Sequence, residues 1–172
     1  VSSYPGTPST EITENAAKGA FSVKVNNTTG LSADSWVCLS VQNNDPAYIA
    51  KELEGSNVGA NELTANHDIK KNGVKVYEYH KIKSINGKTV TFHEPIHHEI
   101  DIKYTNFTGQ SFNWSILKYP HYENVGIEDL TFKGSAKEDV EHHGTWEDDG
   151  AFKPLGMTRL VNSWLRRVGF TS

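Results

Sequence analysis

Cysteine is nearly absent from this 172-residue chain. Its one thiol, Cys38, lies in the apolar run Trp36-Val37-Cys38-Leu39. It can close no internal disulfide, so cysteine says nothing about compartment, and the residue reads as a small buried hydrophobe. No apolar run approaches the roughly 18 residues of a membrane span. A basic surplus is also lacking: 17 Lys and Arg against 21 Asp and Glu give a formal net charge of -4. That balance removes the electrostatic footprint of a nucleic-acid binder. There is no nucleophile elbow, phosphate-binding loop or dinucleotide fingerprint, and those common enzyme classes lose their support. Val1-Ser2-Ser3-Tyr4-Pro5-Gly6 carries neither an initiator Met nor a signal peptide, as in a processed chain or a piece of a longer one.

What is present points to a lean β protein. Hydrophobic residues make up only 36% of the chain, yet aromatics reach 10%, which argues against disorder and for a thin core with long polar loops. Residues 1–20 are Ser/Thr/Pro-rich and read as a lead-in arm with one helical turn at most. Phe21-Ser22-Val23-Lys24-Val25 alternates as a half-buried strand, and Ser35 to Val41 reads as a second, mostly buried one. Residues 42–73 lose the period of two and show only weak helical spacing in Ala47 to Leu53, so a long inserted loop is expected. Val74 to Ile85 and Lys88 to Phe92 flank Asn86-Gly87, a strong hairpin signal because both turn residues tolerate positive φ. A further strand is expected from Glu99 to Tyr104. Residues 21–104 are thus expected to form one small antiparallel β module.

Residues 105–123 read as an aromatic junction, in which Phe107, Phe112, Trp114, Tyr119 and Tyr122 either pack the join or offer rings to sugars. In 124–172 two segments share a cadence. Asn124-Val125-Gly126-Ile127-Glu128-Asp129-Leu130-Thr131-Phe132 is echoed by Asn162 onward, with Trp164 or Leu165, Val168 and Phe170 at inward positions. Such a pair looks like successive coils of a β-solenoid, expected here to be truncated.

These residues carry a resemblance. Lys18-Gly19-Ala20-Phe21-Ser22-Val23 with Gly30 to Val37, then Ile82 to Ile96, then Asn124 to Phe132, is similar to the opening of right-handed parallel β-helix proteins of the pectate-lyase-like superfamily. That group includes polysaccharide lyases, β-helix glycosidases and phage tailspikes. His142-His143-Gly144-Thr145-Trp146 through Arg166-Arg167-Val168 resembles a branch found mostly in polysaccharide-degrading bacteria. The resemblance covers about residues 18–172. It implies an all-β fold, a small antiparallel module followed by the first β-helix coils, and a secreted or cell-surface protein whose partner is polysaccharide. A β-helix hosts many chemistries, so it leaves the reaction open.

The densest polar cluster runs from Glu138 to Gly150. Within it Trp146 suits stacking on a sugar ring, and carboxylates beside His142 and His143 suit hydroxyl binding or proton transfer. The alternative is a solvated acidic loop anchored by a buried Trp146. Asp148 and Asp149 supply the hard oxygens that Ca²⁺ prefers, the one cofactor suggested. In uronate-cleaving β-helix lyases a Lys or Arg often removes the C5 proton, which directs attention to Arg159, Arg166 and Arg167. An Arg pointing inward at 166 or 167 requires a partner, and Glu128 or Asp129 is the bland candidate. His93, His97 and His98 form a second patch, read by default as exposed strand-end histidines.

The enzyme reading therefore assigns His143, Glu147, Asp149 and Arg159 to catalysis, Trp146, Arg166 and His142 to substrate, and Asp148 with Asp149 to a metal. It describes the N-terminal part of a polysaccharide lyase or glycoside hydrolase. The competing reading is a non-catalytic β-helix portion for carbohydrate binding, adhesion or assembly, since open coil ends invite self-association or the rest of a longer helix.

Overall fold

A computed structural model describes residues 8–54, 63–64, 66–104, 112–134, 139, 141–145, 148 and 155–171. The protein is all-β apart from two short helices, and it divides into two compact units, Val1–Tyr119 and Pro120–Ser172. The first unit contains β1 (Pro8–Glu11), β2 (Ser22–Lys24), β3 (Trp36–Asn43), α1 (Pro46–Glu52), α2 (Asp68–Asn72), β4 (Val74–Asn86), β5 (Thr89–Phe92) and β6 (Phe112–Lys118).

The six strands form one antiparallel sheet in the order β1-β6-β3-β4-β5-β2. Its centre is β3, where Val37, Cys38, Leu39, Ser40 and Val41 are all buried. A strand covered on both faces needs no polar alternation, which is why this run is apolar but for Ser40. The sheet curls until its outermost strands meet. Beyond β1, Thr13 N–H donates to the Lys24 carbonyl at 2.9 Å, and Asn26 N–H donates to Glu11 at 2.9 Å. Ile12 bridges Val25. Closure satisfies edge groups that would otherwise template aggregation. Inside lie Val23, Val25, Leu39, Ile82, Val90, Phe92, Ile96, Ile100 and Ile116. Burial pushes the Cys38 thiol up to about 12.

The sheet is wider than the alternation of residues 21–104 suggests. β1 comes from the lead-in arm; its Pro-Ser-Thr-Glu sequence carries no apolar period, and β6 supplies the order by backbone pairing. β6 itself comes from the aromatic junction, where Trp114, Ser115, Ile116 and Leu117 are all buried, as in a strand covered on both faces. The strand expected over 99–104 reduces to a single bridge, Ala16 with Ile100. There Asp101 Oδ1 accepts from Lys103 N–H at 3.1 Å, a local side-chain turn that competes with ladder pairing. Within 42–73, Pro46 opens α1 at its first turn and Asp45 caps it by accepting from Ala47 N–H at 2.8 Å. The hairpin has Gly87 and Lys88 as its central pair, and of the two Gly87 takes positive φ (57°). That places glycine first, as in a II′ turn, one residue later than Asn86-Gly87 would suggest.

The second unit contains β7 (Tyr122–Glu123), β8 (Gly126–Lys133), β9 (Leu160–Val161) and β10 (Trp164–Thr171). β7 pairs with β9 and β8 with β10, both in parallel, with partners such as Glu128 and Arg166 38 residues apart. Equivalent positions take the same unusual backbone: Asn124 (φ 58°) matches Asn162 (φ 50°), and Asp129 (φ 55°) matches Arg167 (φ 51°). The second pair interrupts strict alternation. Phe132 and Phe170 stack with ring centroids 5.5 Å apart.

In the first unit β4 holds a buried polar pair. His80, 2% exposed, places Nε2 3.1 Å from Glu78 Oε2, which also accepts from His97 N–H at 2.9 Å. Burial alone would raise the Glu78 carboxyl, but these hydrogen bonds outweigh it and hold the carboxyl below the ordinary value of 4.5. A depressed carboxylate contributes stability above its unfolded pKa and loses it as pH falls through its folded pKa. The stability difference between wild type and Glu78→Gln, measured by urea unfolding, is therefore expected to be largest near neutrality and to shrink on acidification below about 4.5. A difference constant with pH would refute this.

Candidate functional site

The parallel register of β8 and β10 sets the chemistry of the second unit, because it places side chains 38 residues apart directly over one another. Trp164 lies opposite Gly126. A Cβ at Gly126 would sit 2.4 Å from the Trp164 indole, so glycine is what allows the ring to lie against the β8 backbone. Trp164 Nε1 donates to Glu128 Oε1 at 2.6 Å, which fixes the ring's rotation. The side chain nonetheless remains 44% exposed. Pinned through its edge and against the glycine, the indole offers a rigid aromatic surface to solvent.

A charged ladder continues from it. Arg166 Nη2 donates to Glu128 Oε2 at 2.5 Å, and Arg167 engages Asp129 through Nε and through Nη2, the latter at 2.5 Å from Oδ2. Strict alternation would send one of two adjacent arginines inward. The positive φ of Arg167 breaks that rule, and both side chains stay 57% exposed. Arg167 holds the Asp129 carboxyl below its usual range. Both oxygens of Glu128 are occupied, so it is tied to orientation and not poised for proton transfer. The ensemble of a fixed indole, two guanidinium groups and two carboxylates suits recognition of ring faces and hydroxyls.

The residues singled out from sequence have different surroundings. Arg166 belongs to this ladder. His142 and His143 are exposed neighbours with ring centroids 3.9 Å apart. Asp148 is 5% exposed and organises its own loop, accepting from Thr145 N–H at 2.8 Å, Thr145 Oγ1 at 2.9 Å and Glu141 N–H at 3.3 Å. Both Asp148 oxygens thus accept hydrogen bonds from its own loop. Among the described residues no group of three or more His, Cys, Asp or Glu is placed to hold a metal ion. Arg159 lies over the Tyr122 ring, 5.7 Å from its centroid. Trp146, Glu147 and Asp149 lie outside the described residues. The cadence put Trp164 or Leu165 inward, and Trp164 and Gly126 were not among the residues singled out. Their signal was the 38-residue spacing that sets a glycine opposite a tryptophan.

No family model matches the chain, and no curated protein matches it. Among solved structures it is similar to the gp54 tailspike of Acinetobacter baumannii bacteriophage AP22, in complex with A. baumannii capsular saccharide: 12% identity, 95% of this chain, 21% of that one, TM-score 0.46. It is also similar to the tailspike gp49 from Pseudomonas phage LKA1, at 14% identity over 74% of this chain and 17% of that one, TM-score 0.43. The Pseudomonas phage phi297 tailspike gp61 gives 13% identity, 72% and 16% coverage, and a TM-score of 0.43. The chain spans about a fifth of the length of these tailspikes. Among the described residues no helix is long and apolar enough to cross a membrane.

Replacing Gly126 by Ala is expected to lift the indole off β8 and break its bond to Glu128. A red shift and increased quencher access of Trp164 fluorescence, read in a variant with the other three tryptophans changed to Phe, would register the displacement. An unchanged spectrum would show that the indole does not depend on Gly126.

Proposed function

We propose that this chain is the N-terminal part of an extracytoplasmic, carbohydrate-active protein, that residues 124–172 open a right-handed parallel β-helix, and that the Trp164 ladder binds polysaccharide. The β-helix reading is supported by two strand pairs in parallel with a common 38-residue offset and by matched turns at Asn124/Asn162 and Asp129/Arg167. The function rests on one observation above the others: an indole held in place by Gly126 and Glu128 while almost half exposed. Aromatic faces take up the C–H faces of pyranose rings, and the neighbouring Arg–carboxylate pairs exchange hydrogen bonds with hydroxyls or with an acidic sugar.

Binding is favoured over catalysis at the ladder itself, because its carboxylates are committed to arginines and to the indole. The enzyme reading, a lyase or hydrolase using His143, Glu147, Asp149 and Arg159, belongs to the longer protein.

A polysaccharide panel tests both. Trp164→Ala is expected to weaken binding to the recognised glycan roughly tenfold, the loss of one stacking contact, without changing the thermal midpoint of the first unit. Equal affinity in both proteins would sink the ladder as the binding surface. Ultraviolet absorbance of unsaturated products, with reducing ends followed in parallel, tests turnover. Absorbance gain lost in His143→Ala or Arg159→Ala would establish a lyase, and reducing ends alone a hydrolase.

A further inference from the structure

The first unit carries an open groove of about 420 Å³, well away in sequence from the ladder. Its walls are the end of α1 (Lys51, Glu52 and the following Glu54), the segment His97-His98-Glu99, and Lys18. Two ion pairs brace these walls against each other. Lys51 Nζ lies 2.6 Å from Glu99 Oε2, and His98 Nε2 lies 3.0 Å from Glu52 Oε2. The His98 ring also packs 5.7 Å from the buried Trp114. The groove is thus held open by contacts that reach into the core.

Three further groups line it without a side-chain hydrogen bond or ion pair among the described residues: the Lys18 ammonium, the Glu54 carboxylate and the His97 imidazole. Their chemistry selects a ligand. A polyanion entering here would face Glu52, Glu54 and Glu99, and a metal cation would face Lys18 and Lys51. Each meets like charge, the polyanion at three of the seven lining residues and the cation at two. A hydroxyl group is repelled by neither sign, because it donates to a carboxylate while accepting from an ammonium or an imidazole N–H. A ring bearing several hydroxyls satisfies such alternating walls all round. The volume also falls within the roughly 300–1,000 Å³ of small-ligand sites.

From this we infer that the groove is a second binding site, specific for a neutral, hydroxyl-rich saccharide unit, with Lys18, Glu54 and His97 as its contact residues. It does not depend on Trp164 and stands or falls separately from the ladder.

The test follows imidazole signals by NMR in the full chain during titration with neutral oligosaccharides (gluco-, galacto- and N-acetylglucosamine series) and with an oligouronate. Saturable shifts at His97 and His98 with a neutral sugar are expected, in wild type and in Trp164→Ala alike. His97→Ala and Lys18→Ala should each weaken that binding about fivefold, the loss of one hydrogen bond, and His97→Asn should restore part of it by keeping a donor. The His98 signal serves as a check that each variant retains the groove. Shifts with the oligouronate alone would overturn the ligand class. Unmoved signals with every saccharide, or binding abolished by Trp164→Ala, would overturn the site.

Discussion

The surface of the second unit depends on a backbone constraint, the repetition of the same turns after 38 residues. Asn124 and Asn162 bend the chain alike, and Asp129 and Arg167 do so again within the strands. Non-glycine residues at positive φ cost of order 1 kcal/mol each, and they persist where surrounding pairing over-determines them. Here the parallel ladder is that surrounding. Its register brings Gly126 beneath Trp164 and acids beneath arginines, and the turn at Arg167 leaves neighbouring side chains together on the outside. Shifting the register by one residue would place Ile127 under the indole and remove the space it occupies.

The first unit solves a different problem. Its hydrophobic content is modest, and it concentrates that content in a curled sheet whose ends bond to each other. The consequence is a wall on which short helices and loops can be tied down by charge. His98 reaches Glu52 of α1 from one side while resting near Trp114, and Lys51 reaches Glu99 and Asp101. Polar groups near the surface are thereby fixed by the same strands that make up the core.

Several of these features were legible in the residues. The alternation of Phe21 to Val25, the continuous run at Ser35 to Val41 and the turn near Gly87 all register as local chemistry, and the matching cadence of Asn124 and Asn162 marks the parallel pairs. β1 was illegible because Pro8 to Glu11 has no apolar period; its order comes from partners more than 100 residues away. β6 was hidden by the density of aromatic residues around it, which reads as packing before it reads as a strand. The outward direction of both arginines was equally hidden, since adjacent residues are expected on opposite faces and nothing local in Arg166-Arg167 signals the positive φ that Arg167 shares with Asp129. The burial of Asp148 was hidden too: in sequence it is one carboxylate among several, and its loop N–H partners appear only in the fold.

Cys38 sits at the middle of β3 with no exposure, its thiol pushed to about 12 by burial. A thiolate is what reacts with disulfide and alkylating reagents, and at this position almost none forms while the sheet is closed. With no second cysteine in the chain, modification reports one event, the parting of the central strands. The protein thus carries its own clock for the opening of the first unit, a single thiol that stays quiet until the sheet parts.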